Sequence, residues 1–237
     1  MFKLLSTANP KIQKGTKQGY LSFILHLAPA DVSGYNTCPK ATAGCKAACL
    51  NTAGRGGMFK KGETTNTIQK ARIRKAKYFF EDRAGFMADL YKDIQKAIKF
   101  AERKGLTPVF RLNGTSDLSW EKYEVAGYTN IFEAFPQVQF YDYTKVPKRK
   151  VDGIKNYHLT FSQADGNEKD ANWAISKNMN VTVVFDKIPA EYKGKTVFNA
   201  DDTDLRFLDP RGVVLGLKAK GRAKKDRSGF VVFMQQA

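Results

Sequence analysis

All three cysteines of this 237-residue chain, Cys38, Cys45 and Cys49, fall within residues 38–49, spaced C-x6-C-x3-C. In a reducing compartment such a cluster points to a metal site or a catalytic site, and an odd count does not build a disulfide framework. A cysteine nucleophile needs a base. The only two histidines, His26 and His158, fall in strand-like segments, so no Cys–His or Ser–His pairing follows. Zinc usually takes four Cys or His ligands, so a Cys3His site would have to recruit His26 or His158. Three thiolates from one compact turn suit a [4Fe–4S] cluster, with the fourth iron left to a substrate, a cofactor, water or a distant side chain. Gly44 and the small residues Ala41, Ala43, Ala47 and Ala48 let the backbone close around a bulky cluster. Lys40, Lys46 and Arg55 would offset its negative charge.

The elements that must position this loop read as α/β. Eight short apolar runs, at 20–27, 108–112, 138–143, 157–161, 181–185, 196–199, 213–217 and 229–234, have the composition of strands. Several are continuous rather than alternating, as in strands covered on both faces. Helical patterns fill 64–104, with a break expected at Gly85, and also 119–135 and 167–178. Lys/Arg in the last turn and Gly105 mark the end of the first stretch. The alternation predicts one α/β domain over 1–237, with an N-terminal arm at 1–19. The expected form is a small or irregular (β/α) TIM-like barrel with an iron–sulfur loop after the first strand. An open doubly wound sheet is the alternative, weakened by the lack of a G-x-G-x-x-G loop after that strand.

In a barrel, functional groups follow the strands at their C-terminal ends. Arg111, Asn113, Ser116, Asp117, Lys145, Ser162 and Asp186 meet that condition and are the expected lining of a cofactor or substrate mouth. Asp201, Asp202 and Asp204 invite a divalent-metal reading, although a short acidic run is more often a turn with capping aspartates. No phosphate-cradling G-x-x-x-x-G-K-[ST] loop is present.

Forty Lys+Arg against 23 Asp+Glu give a net charge of +17, which favours polyanionic partners. Nucleic acid, DNA or RNA, is the expected partner. Its contacts are expected from the loop and helix at 55–77, through Arg55, Lys60, Lys61, Lys70, Arg74 and Lys77. Further basic runs stand at 145–150 and 218–227. No apolar run is long enough to cross a membrane, and the N-terminal apolar stretch is too short for a signal peptide. The default location is therefore intracellular and reducing.

Two resemblances add to these readings. A three-cysteine loop directly after the first strand of a (β/α) barrel resembles the architecture of radical S-adenosylmethionine enzymes. That likeness implies a radical-SAM-like barrel whose open iron binds S-adenosylmethionine. The spacing departs from that family's C-x3-C-x2-C, and Ala48 stands where an aromatic residue is usual. The block YLSFILHLAPADVSGYNTCPKATAGCKAACLNTAGRGG at 20–57, together with RLNGTSDLSWE at 111–121, is similar to the gene product 88 family of small phage proteins. This implies a phage protein at work in the host bacterial cytoplasm, and little about mechanism. The expectation is thus an iron–sulfur protein acting on or binding nucleic acid. A non-enzymatic iron–sulfur binder or redox protein and a Cys3His zinc protein stay open beside it.

Overall fold

The computed structural model describes residues 3–7 and 14–234. Ten strands form one sheet, ordered β1-β2-β3-β4-β5-β6-β9-β8-β7, with β10 on β6. They are β1 (Leu5–Ser6), β2 (Tyr20–Leu25), β3 (Thr107–Arg111), β4 (Gln139–Thr144), β5 (Tyr157–Ser162), β6 (Val181–Phe185), β7 (Glu191–Tyr192), β8 (Lys195–Asn199), β9 (Val214–Lys218) and β10 (Val231–Val232). Every pairing from β2 through β8 along this path is parallel; only the edge strands β1 and β7 run antiparallel. All eight sequence-predicted strands are present. Of the expected arm at 1–19, residues 1–2 and 8–13 lie outside the described residues. Its Leu5–Ser6 adds the edge strand to β2.

The helices are α1 (Ala43–Ala47), α2 (Thr67–Glu81), α3 (Arg83–Glu102), α4 (Ile131–Ala134) and α5 (Glu168–Ser176). The expected break at Gly85 falls instead at Asp82, which ends α2 and caps α3 by accepting from the Gly85 amide. A Cβ at Gly85 would stand 2.2 Å from Asp82 Oδ2, so the glycine makes room for the cap from inside the first turn. The helix expected over 119–135 shrinks to a 3-10 turn at Trp120–Lys122 and the single turn α4. Trp120 and Phe132 bury their rings under the helices and have no need of a continuous helical frame.

Register decides the layering. Phe23, Phe110, Phe140 and Tyr157 are cross-strand neighbours on one face. They pack with Phe79 of α2, with Leu90 and Ile94 of α3, and with Ile131 and Phe132 of α4. Further along the same face Phe161, Val181, Val183 and Val214 meet Ala171 and Ala174 of α5. Burying each large apolar side chain contributes roughly 1.5–3 kcal/mol. A doubly wound sheet has helices on both faces; here these helices cover one. The other face carries Tyr20, Ser22, Val109, Tyr141, His158 and Thr160. Leu205 and Phe207, from the β8–β9 connection, pack onto it. Among the described residues no ladder joins the β1 edge to the β7 edge, so the sheet is not closed.

Candidate functional site

At the C-terminal ends of the parallel strands a cavity of about 350 Å³ opens on the helix-free face. Cys38, Cys45 and Cys49 all line it. So do Arg111 at the end of β3, Lys145 after β4, Ser162 at the end of β5, Thr182 and Val184 of β6, and Leu217 of β9. Asn113, Ser116 and Asp117 of the β3 loop line it as well. Asp186 is the exception. It is not part of the lining, and its carboxylate accepts from the Met234 amide beyond β10. It follows β6 as expected, but β10 pairs with the end of that strand and takes this carboxylate as a cap.

The cysteine loop is held from three sides. Asp165, after β5, accepts from Thr42 Oγ1 and from the Gly44 amide at 3.0 Å, and Thr42 in turn caps α1. A Cβ at Gly44 would fall 2.0 Å from Ser228 Oγ and 2.5 Å from Asp165 Oδ1, so only glycine lets α1 sit this close. Behind Cys49, the run Gly54–Gly57 forms a 3-10 turn. A Cβ at Gly57 would meet Thr52 O at 2.0 Å. The inward polar side of α2 grips this tail. Asn66 Nδ2 donates to Met58 O at 2.8 Å, Gln69 Nε2 to Gly56 O at 2.8 Å, and Arg72 Nη1 to Asn51 Oδ1 at 2.8 Å. Sequence reasoning missed the roles of Asp165, Asn66 and Gln69. Asp165 is 120 residues or more from its partners, and the i, i+3 spacing of Asn66 and Gln69 was the available signal.

The thiols are partly buried. Burial pushes Cys38 up to about 11. Burial also raises Cys49, while its bond from the Asn51 amide and the charges of Lys145 and Arg72 pull the other way. Those same groups would support a thiolate once a metal displaced the proton. Cys38 Sγ lies 3.7 Å from Thr37 Oγ1 and 3.8 Å from Thr115 O.

Asn113 is the hub of the opposite wall. Its Oδ1 accepts from Ser116 Oγ, the Leu118 amide and Trp120 Nε1, at 2.9, 2.9 and 3.1 Å. Its own amide donates to Asp142 at 2.7 Å. Burial raises Asp142 to about 7, against the donation from Asn113 and the charges of Arg111 and Arg149. Asp117 accepts from Thr144 Oγ1 and the Lys145 amide, both at 2.7 Å, and burial raises it too. Lys145 Nζ donates to Ser162 Oγ at 3.0 Å. Arg111 pairs with Asp204 at 3.0 Å and lies 4.7 Å over the Tyr143 ring.

The acidic run divides its tasks. Asp201 accepts from Lys218 N and Lys220 Nζ, Asp202 from Asn199 Nδ2, and Asp204 holds Arg111. Among the described residues, no group of three or more His, Cys, Asp or Glu stands together in a way that could hold a metal ion. Neither histidine lines the cavity. His26 is pressed against Gly114, and burial with Arg72 nearby lowers it to about 3. His158 lies on the inner face toward Arg211 and Arg206. The donor set is thus three thiols around a recess lined by small alanines and cations.

Arg55, Lys60, Lys61, Lys70, Arg74 and Lys77 are all exposed, and none lines the cavity. No described helix is long and apolar enough to cross a membrane. The family model described as gene product 88 matches residues 3–233. No curated protein and no solved structure matches the chain.

Proposed function

The chain belongs to the gene product 88 family, and we propose that it is a phage iron–sulfur protein of the host cytoplasm that acts on or binds nucleic acid. Cys38, Cys45 and Cys49 would hold a [4Fe–4S] cluster. The observation that carries this reading is that the chain's only three thiols line one cavity, with the ends of the parallel strands as its walls. Bound there, the cluster would supply one-electron chemistry and an iron open to a further ligand. The chain's own residues do the rest. Lys145 and Arg111 bring positive charge to the recess. Asp204 and the Tyr143 ring fix the Arg111 guanidinium. Asn113 and Asp117 lock the β3 and β4 ends that present these groups. We read the one-sided helices and the steady march from β2 to β6 as an incomplete, radical-SAM-like barrel.

Anaerobic purification followed by iron, acid-labile sulfide and zinc analysis tests the reading. About four irons and four sulfides per chain are expected; zinc without sulfide would overturn it. Electron paramagnetic resonance of the reduced protein then divides two forms of the proposal. A signal that changes on adding S-adenosylmethionine makes the protein a radical enzyme. An unchanged signal makes it a binder or redox protein.

A further inference from the structure

We infer that the turn at Gly221–Lys225, with the residues flanking it, is the phosphate-binding lip of the cysteine cavity, and that its occupant is a single-stranded nucleic acid inserting one base. The inference deepens the nucleic-acid reading above and rests on it. Residues 218–227 hold six cations, Lys218, Lys220, Arg222, Lys224, Lys225 and Arg227, and one acid, Asp226. All six cations are exposed. Asp226 turns inward instead, accepting from Ser228 Oγ at 2.6 Å and from the Val231 amide at 3.0 Å. Lys220 is paired with Asp201 across the β8–β9 connection at 2.6 Å, so the positive charge turned to solvent is carried chiefly by Arg222, Lys224, Lys225 and Arg227.

It is also fixed at the cavity. Lys218, Lys220 and Ala223 line the recess. The Ala219 amide donates to Phe185 O at 2.8 Å, and β10 pairs with β6 just beyond. The half-buried Phe230 forms part of the cavity wall, 5.9 Å from Lys145 Nζ, and offers an aromatic surface to a base. Across the mouth, Val32 and Leu50 line the recess while 49% and 57% exposed. A cavity of about 350 Å³ is in the range of small-molecule sites. Bases stacked in a duplex cannot enter such a recess without flipping, whereas a single strand offers them directly. Anionic lipid would meet the same charge, but an interfacial membrane anchor uses a long amphipathic helix. Here the basic element is one short 3-10 turn. The exposed cations of α2 lie outside the lining and are not the main contact.

Fluorescence anisotropy with labelled single strands of DNA and RNA, about 15 nucleotides long, tests this. The triple variant Arg222→Glu/Lys224→Glu/Lys225→Glu should bind at least about tenfold more weakly, with a salt slope reduced by about 2. The neutral Gln triple should move the same way by less. Lys70→Glu/Arg74→Glu/Lys77→Glu should change affinity by less than about threefold, and a duplex of the same sequence should bind more weakly than either strand. If the α2 triple loses binding and the lip triple keeps it, the lip is wrong and the nucleic-acid reading survives. Tighter binding to duplex than to single strands would overturn the single-strand assignment. Should the unaltered protein bind no oligonucleotide at low salt, both readings fail. Binding to phosphatidylserine vesicles alone would replace the occupant with a membrane.

Discussion

The two ends of the sheet's helix-free face are built to opposite specifications. At the C-terminal ends the face opens into a recess with thiols, Arg111 and Lys145 around it. Toward the N-terminal ends the same face is filled. Leu205 packs on Val109 and Tyr141, Phe207 sits edge-on to Tyr20 at 5.3 Å, and Arg206 is 1% exposed. One segment joins the two ends, since Asp204 holds Arg111 at the mouth while its neighbours plug the interior. The difference teaches where the chain can tolerate change. A strand-end recess leaves polar groups free for a ligand, whereas a filled floor turns every polar group into a folding problem.

Arg206 is the sharpest probe of the floor. Its Nε stands 3.2 Å from Asp209 Oδ2, close enough for charge attraction but poorly aimed as a hydrogen bond, and Nη1 has no partner among the described residues. Arg206→Ala should cost about 3 kcal/mol in urea unfolding, because it empties a fully buried site and leaves the partly buried Asp209 without its partner. Arg206→Met should cost clearly less than the alanine change, since burying the guanidinium is itself expensive. Equal losses from the two would mean that volume, and not charge, fills the floor.

Asn113 marks where the mouth becomes structural. Asn113→Ala strands the Trp120 indole N–H and two other donors, so a loss of about 2–3 kcal/mol is expected by the same assay. A near-neutral result would place the whole mouth on the tolerant side of the comparison.

His158 gives the floor a pH signature. Burial, then Arg211 and Arg206, lowers it to about 4, so the folded state holds it neutral while the unfolded chain protonates near pH 6.5. Its contribution is fully present above pH 6.5 and is lost as pH falls toward 4, over a window of at most about 3 kcal/mol. His158→Gln should therefore make that acid limb shallower by about one proton's worth, leaving the share of His26, which burial lowers to about 3. An unchanged slope between about pH 6.5 and 4 would mean that His158 is not held neutral by the floor and that His26 alone carries the limb.

Lys145→Ala should have the smallest effect on stability, within about 0.5 kcal/mol, because its side chain borders the open recess. Ligand binding there is where its loss should register. A stability loss of several kcal/mol would erase the contrast between mouth and floor.

Much of the site was legible because its residues follow strands, and strands announce themselves as short apolar runs. Arg111, Asn113, Ser116, Asp117, Lys145 and Ser162 were found this way, and they share one cavity with the cysteines. Asp186 follows a strand by the same rule yet serves as a cap, because β10 lies alongside the end of β6. The basic residues of α2 were read by charge alone, which cannot say where a charge stands relative to the recess. Gly44 was legible as a close-approach residue, but what approaches it, Asp165 and Ser228 from distant segments, was not.

The sequence by itself determined the α/β class, the strand segments, the single cysteine loop and the excess of positive charge, since each depends on local composition and spacing. Tertiary structure alone decided three things: that β9 inserts between β6 and β8, that α2 to α5 keep to one face, and that residues 204–209 fill much of the other. Those outcomes depend on which distant surfaces find complementary partners. Asp204 with Arg111, or Asp165 with Thr42 and Gly44, are bonds between segments separated by tens of residues or more, and no local pattern encodes them.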